Sequence, residues 1–451
     1  MPTLTVGPVI GKVTATTARV LVEVDTEAEV TLTLRSDASA PHRITQRLPA
    51  DRPQVFSFEN LRPAATYDLR VEGAAGSPPA RVRTPAVHPE RFTHGVVSCN
   101  QPQHRDGTDL WQTLYDNFVR PDGLDALFHV GDQVYADGVY EWCYRKYCRS
   151  NGGSRALAET CRAAYRDVYR RTWQHPGTRA VLANVPNLMI WDDHEVHDGW
   201  SYQPERRADD VPARFVRRQA RRVYREYQRQ LWDAQPLTDT GGFEHHHHTW
   251  GEVGALFVDQ RGGRTFHYDP EYPFLGKQQW EDLDAALGPG GTYESVRALV
   301  VVTTVPLAFI AAELQPLARR FADDLQDHWS GPEQRRDQTR LIRLLRAWKA
   351  QGAREVFVVG GDVHTGGHSR IVLDGEEVCR QLVSSPITHP PMSPLFYCLL
   401  QGAFLGQRVL PFNKRFRHGL FRRRRNFGVV QWSLPPGRTP RAQAGLVFAE
   451  R

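Results

Sequence analysis

No run of apolar residues in this 451-residue chain reaches the length of about 20 that a membrane-spanning helix needs. The longest candidate, around residues 395–405, is broken by Gln401 and Gly402 and followed by Gly406, so no transmembrane helix is expected. Cysteine is scarce. The six present (Cys99, Cys143, Cys148, Cys161, Cys379 and Cys398) are too few to staple a protein of this size, and free thiols are expected. The first residues lack the basic, apolar and small-residue order of an export leader, so the sequence as it stands reads as cytoplasmic, and as exported only if a precursor segment is removed. No internal repeat is found.

What is there describes a globular protein. Apolar residues make up 40% and charged residues 24%, which excludes both a disordered and a fibrous class. The length argues for a large unit plus a smaller one. A net charge of +6 suits a negatively charged partner, whether a phosphorylated small molecule, a phosphodiester, nucleic acid or anionic lipid. From Thr3 to about Arg83, short alternating runs such as Ala18-Arg19-Val20-Leu21-Val22 are separated by turn residues, which predicts a β-sandwich over residues 1–85. The stretch around Tyr67 resembles the loop-to-strand corner of a fibronectin type III domain. A Gly/Ser/Pro-rich linker follows, and residues 90–451 form the second unit. There, hydrophobic runs at 95–97, 126–130, 188–191, 255–258, 298–303 and 355–359 alternate with helical patterns, as in a largely parallel, helix-covered α/β sheet whose ligands sit beyond the strand C-termini.

Four of these runs end in groups able to bind metal: Ser98-Cys99-Asn100, Gly131-Asp132-Gln133-Val134-Tyr135, Trp191-Asp192-Asp193-His194-Glu195 and Gly360-Gly361-Asp362-Val363-His364. A single Asp or His at a strand end is ordinarily a turn former or helix cap. Four together point to chemistry. Hydrolysis of a phosphate ester brings an anionic nucleophile to an anionic phosphorus, and two cations about 4 Å apart neutralise both. Asp132, after an apolar strand and a glycine, suits the bridging carboxylate, and the phenol of Tyr135 suits trivalent iron.

Gly-Asp-x-x-Tyr at 131–135, Trp-Asp-Asp-His-Glu at 191–195 and Gly-Gly-Asp-Val-His at 360–364 resemble the motifs of the PhoD-like (alkaline phosphatase D) family, a calcineurin-like metallophosphoesterase group related to purple acid phosphatases. Asp259-Gln260-Arg261 and Val302-Thr303-Thr304-Val305-Pro306 extend the resemblance, which covers about residues 90–390. It implies a four-layered αββα sandwich behind the fibronectin III-like domain. It also implies a binuclear or larger centre of Fe(III) plus Ca(II) or another divalent ion (Mn, Zn or Mg), held by Cys99, Asp132, Tyr135, Asp193, Asp362 and His364. His194 would be unliganded, hydrogen-bonding the phosphate or protonating the leaving alkoxide, with Arg261 the phosphate clamp and Asn100 a substrate contact. The Val-x-x-His histidine of purple acid phosphatases has no counterpart, and Asp362 stands where they carry a second histidine.

The function so implied is hydrolysis of phosphate mono- or diesters by metal-bound hydroxide, with the oligomeric state left open. A basic segment at about 394–426, ending in Arg422–Arg425, raises the alternative of a phosphodiesterase directed at phospholipid or nucleic acid; its apolar first half reads instead as a lid. A rival of another class is a non-catalytic scaffold that keeps the fold. His245 to His248 read as a solvated loop, Cys143, Cys148 and Cys161 as packing residues rather than a zinc site, and residues 214–229 as an amphipathic surface helix.

Overall fold

Alternation of apolar and polar residues folds the N-terminal stretch into seven strands: β1 (Leu4–Val13), β2 (Ala18–Val24), β3 (Ala28–Ser36), β4 (Ser39–Leu48), β5 (Gln54–Phe58), β6 (Thr66–Glu72) and β7 (Ala80–Arg83). They sort into sheets β1-β2-β5 and β4-β3-β6-β7. Val20, Leu32, Phe56, Tyr67 and Val82 fill the space between them. The Tyr67 hydroxyl accepts the Arg62 N–H at 2.8 Å, the tyrosine corner anticipated from the sequence. The computed structural model describes the whole chain except residues 38, 104–108, 122, 151, 202–209, 235–242, 265–270, 311–327, 330, 332–333, 405–407, 410–413 and 451.

The larger unit continues with β8 (Arg91–Val97), β9 (Ala126–Val130), β10 (Asn187–Ile190), β11 (His246–Trp250), β12 (Val253–Val258), β13 (Ala298–Thr303) and β14 (Glu355–Gly360). It closes with β15 (Gly367–Leu373), β16 (Glu376–Val383), β17 (Arg408–Val409), β18 (Lys414–His418), β19 (Asn426–Ser433) and β20 (Arg441–Phe448). One sheet runs β10-β9-β8-β19-β20 and the other β11-β12-β13-β14-β16-β15-β18-β17. Strands β8 to β10 pair in parallel, as do β12, β13, β14 and β16, while the edges are antiparallel. Every residue of β9, β10, β12 and β13 is buried, as expected for strands covered on both faces.

The helices are α1 (Leu110–Leu114), α2 (Asp137–Arg149), α3 (Arg155–Trp173), α4 (Pro176–Leu182), α5 (Val211–Tyr227), α6 (Lys277–Leu287), α7 (Arg335–Lys349) and α8 (Pro394–Phe404). Phe128, Val130 and Ile190 meet Phe257, Val302 and Val359 between the two sheets. Leu256, Leu299 and Val301 pack outward on Trp280 and Leu283 of α6 and on Leu341 and Leu345 of α7. Leu127 and Phe427 pack outward on Trp111 and Leu114 of α1. The result is the four-layered αββα sandwich, with the smaller sandwich against α3 and α5. Glu23 of β2, fully buried, joins the two units by accepting Arg170 Nε at 2.8 Å and the Tyr227 hydroxyl at 2.6 Å.

Two sequence readings change. His246–Trp250 is not a solvated loop but the edge strand β11: alternation puts His246 and His248 in the core, their rings against Phe257, and turns His245 and His247 to the other face. The helix expected at 214–229 begins earlier, at Val211, because the Asp210 carboxylate caps the Ala213 N–H at 3.0 Å. The apolar half of the basic segment forms α8, which buries Leu400 beside Val363 and Phe421 while Leu395 and Leu399 stay exposed; position 405 lies outside the described residues.

Candidate metal centre and active site

The parallel strands all release their chain at the same end of the sandwich. The turns after β8, β9, β10 and β14 therefore converge, joined there by Asp259–Arg261 after β12 and Thr304 after β13. The turns are tight. Cys99, Asp132, Asp362 and His364 all lie in the left-handed region, at φ 55°, 54°, 63° and 51°, a conformation that side-chain-bearing residues adopt only where the surroundings hold it. Gly131 is required between β9 and Asp132. Its φ is 100°, and a Cβ there would sit 2.7 Å from the Cβ of Asp192. The first two turns are laced together by Asn100 N–H to the Asp132 carbonyl at 2.8 Å. The third is locked to the second by Glu195, whose buried carboxylate accepts the N–H of Gln133 at 2.7 Å and that of Asp192 at 2.8 Å.

Asp132 is the hub. Cys99, Asp132 and His364 present ligand atoms within 4.8 Å of one another; so do Asp132, Asp193 and His194, and so do Asp132, Asp192, Asp193 and Asp362. The Asp132 Oδ2 stands 3.4 Å from both the Cys99 sulfur and the Tyr135 hydroxyl, and Tyr135 Oη is 3.5 Å from His364 Nε2. Half-buried rings flank the cluster: Tyr135 stacks on His389 (5.0 Å between centroids) and packs tilted against His194 (4.2 Å), and His389 in turn lies 4.0 Å from His364.

A model of the PhoD-like phosphatase family matches residues 94–434, the greater part of the chain. The chain belongs to this family. Alkaline phosphatase D of Bacillus subtilis (strain 168) is 23% identical over 345 residues, which are 72% of this chain and 55% of that protein, so the chain spans about half the length of that relative. A solved structure of PhoD superposes with a TM-score of 0.71 at 16% identity, over 99% of this chain and 90% of that one, and carries the same fold.

The electrostatics of the PhoD-like site ask for cations. Burial, foremost, pushes the Asp132 carboxyl well up, with Asp193 and Asp192 adding to it against the opposing His194. Burial, then Asp192 and Asp193, does the same to Asp362. Burial and the nearby acids also raise the Cys99 thiol and the Tyr135 phenol. Burial, then His389 and His194, holds His364 well below the usual imidazole range and so neutral. Asp132 Oδ1 is buried with no hydrogen-bond partner among the described residues. A cluster of carboxyl oxygens, a thiol and a phenol, with one buried carboxyl oxygen unbonded among the described residues, is a donor set that suits cations. The residues present thus fit the metal centre that the family implies.

His194 sits beside the cluster, with Nδ1 3.0 Å from the Asp137 carboxylate at the start of α2. That contact orients the ring: Nδ1–H donates to Asp137 whether the ring is neutral or charged, and Nε2 is left for the cluster. Burial works against its charge, but Asp193, Asp132 and Asp137 together hold its pKa well above the usual imidazole value. Arg261 and Asn100 take positions other than those expected. The Arg261 guanidinium, 2% exposed, donates from Nε to Asp192, lies 3.4 Å from Asp193 and donates to the Trp200 carbonyl at 3.2 Å. It is a counter-charge beneath the acids rather than a clamp open to substrate, and after burial it is the largest influence on Asp193, whose pKa falls. The Asn100 carbonyl oxygen accepts from Trp111 Nε1 at 2.9 Å and from Thr388 Oγ1 at 3.2 Å, which ties it to the scaffold.

Sequence reasoning passed over Asp137, His389 and His328, the last 3.9 Å from the Asp362 carboxylate. Asp137 had a signal, an acid at a helix start just after the Gly-Asp-x-x-Tyr turn. His389 lies a few residues past the end of β16 and His328 far along the connection after β13, and no glycine-acid motif marks either. Cys143, Cys148 and Cys161 join no three-ligand group among the described residues.

Proposed function

We propose that this PhoD-like protein hydrolyses phosphate esters at the Asp132 cluster, through a metal centre divided by ligand chemistry. Cys99, Asp132, Tyr135 and His364 form a set whose thiolate and phenolate suit Fe(III). Asp132, Asp192, Asp193 and Asp362 form an all-oxygen set that suits Ca(II) or another hard divalent ion such as Mn, Mg or Zn. Bound there, the cations would supply positive charge to the phosphate and lower the pKa of attacking water. The protein's own residues do the remainder. Asp132 sets the spacing of the two sets, and Arg261 keeps Asp193 ionised. His194, aimed by Asp137, carries the proton that a departing alkoxide takes up.

The observation that carries this reading is one carboxylate shared by three ligand groups, with its second oxygen buried and unbonded. Asp132→Ala is expected to lose hydrolysis of p-nitrophenyl phosphate and bis(p-nitrophenyl) phosphate by roughly a thousandfold, the several kcal/mol that a metal site supplies. Iron and divalent metal, read by elemental analysis, should fall with it. Wild-type turnover in that variant would end the proposal. A preference for a polyanionic diester is favoured by Arg415, Arg417 and Arg422, which remain exposed on or beside β18.

A further inference from the structure

The four consecutive histidines fall on two faces of β11, and only one pair is used for packing. His246 and His248 face inward and bond one another, Nδ1 to Nε2, at 2.6 Å. His245 and His247 point to the outer face, where α6 crosses. Asp282 of α6 meets both: its Oδ2 lies 2.5 Å from His245 Nε2 and 3.8 Å from His247 Nε2. The two outer rings are 5.7 Å apart between centroids, nearly perpendicular at 89°, so their nitrogens converge rather than stack. Ligand atoms of all three residues lie within 4.8 Å of one another. The site shares no residue with the Asp132 cluster.

Hydrogen bonding behind the rings settles which nitrogen of His247 is available. The Tyr293 hydroxyl has one proton, and it donates that proton to the Ala255 carbonyl at 2.8 Å. The hydroxyl must therefore accept from its other neighbour, His247 Nδ1, at 3.0 Å. His247 is then the Nδ1–H tautomer, with the lone pair of Nε2 turned toward the Asp282 carboxylate. Nε2 of His247 and the carboxylate face each other as electron-rich groups across a gap of 3.8 Å, which a cation between them relieves; His245 Nε2–H donates to the same carboxylate, and as a metal takes that nitrogen the proton passes to Nδ1 or to solvent. A hydrogen bond from the distal ring nitrogen to a fixed acceptor is also the arrangement that orients histidines toward metals. The platform is rigid: Trp280, Leu283 and Ala286 anchor α6 in the core around Asp282, and Tyr293 is fully buried. The acid itself is 57% exposed, so water can complete a coordination shell from the solvent side.

We propose that His245, His247 and Asp282 form a second metal site that takes a divalent transition ion of the zinc class and clips the edge strand β11 to helix α6. Two imidazoles and one carboxylate suit Zn(II), Co(II), Ni(II) or Cu(II), and suit Ca(II) and Mg(II) poorly, so this site leans to softer ions than the oxygen-rich centre does, and the histidine variants separate zinc held here from zinc held there. A clip at this place also closes an open sheet edge, since β11 is the terminal strand of the larger sheet.

The test uses the protein as purified, with its resident metals. Zinc is added and desalted away, and bound zinc and iron are counted by elemental analysis, with affinity from calorimetry. Wild type is expected to gain one zinc per chain without loss of iron, and to rise in Tm. His245→Gln/His247→Gln should gain none. Asp282→Asn, an exposed change that leaves folding intact, should bind roughly tenfold or more weakly. Turnover of p-nitrophenyl phosphate should be alike in all three before zinc is added. Failure of the wild type to take up additional zinc, or uptake by both variants equal to the wild type, would overturn the proposal. Neither result would touch the assignment at Asp132, which is read from iron content and turnover.

Discussion

His194 donates a proton in this scheme only while its imidazolium persists, and that depends on carboxylates rather than on solvent. His194→Asn keeps the approximate shape and removes the proton. Turnover of an alkyl phosphate should fall by roughly 10²–10⁴, and that of p-nitrophenyl phosphate much less, because its leaving group needs no protonation. Metal content should stay unchanged, which separates this residue from the ligands. His94 shows the opposite case. Fully buried and stacked 4.4 Å from Phe128, it is pushed down to about 3 by desolvation. Its folded pKa lies below its unfolded value near 6.5, so below that pH the unfolded chain binds the proton and the fold does not. Stability is lost as pH falls from about 6.5 toward 3, amounting to about 2 kcal/mol by pH 5 for this residue alone. His94→Phe should retain more of its pH 7 stability at pH 5 than the wild type does, read from urea midpoints at the two pH values; equal losses would refute the point. His129, lowered by burial to about 4, should keep part of the acid sensitivity in the variant.

At the scale of elements, the parallel strands that carry the site were legible because each is a short apolar run cut off by a polar motif; β9 and β13 begin and end where the sequence placed them. Strands β15 to β20 were not. They mix charge with apolar residues, and long-range pairing decides them. The same limit explains β11: a tetra-histidine looks polar residue by residue, and only a neighbouring strand reveals that every second ring is core. The candidate ligands Cys99, Asp132, Tyr135, Asp193, Asp362 and His364 stood out by type and spacing, whereas the place of Asp192 beside them and the positions of Arg261 and Asn100 depended on where side chains point, which only tertiary packing decides. The basic segment divides likewise. Arg425 is buried and donates from Nε to the Thr388 and His389 carbonyls, and Arg423 donates to the Met392 carbonyl, so both brace the loop that carries His389. Any contact with a polyanion falls to Arg415, Arg417 and Arg422. Replacing these three with serine should leave small-ester turnover intact while cleavage of polynucleotide or of anionic liposomes declines, if such substrates are cleaved by the wild type. A parallel decline in small-ester turnover would show that they too are structural.

For the whole molecule, the small sandwich is coupled to the catalytic unit through a buried charge. Burial raises the pKa of Glu23, and Arg170 and Tyr227 oppose that rise. Glu23→Ala strips the Tyr227 hydroxyl of its acceptor and leaves Arg170 with Asp51 alone, and is expected to cost about 3 kcal/mol, seen as a lower Tm. If the Tm were unchanged, the two units would be shown to fold independently of this contact. A different consequence lies in the order of the five-stranded sheet. Strand β8, which opens the catalytic unit, pairs on one side with β9 and on the other with β19. During synthesis all the residues of the Asp132 cluster leave the ribosome before the strand that closes the sheet beside them. The nascent chain must therefore hold β8 with one flank open until the last hairpin emerges, a natural point for a chaperone to attend.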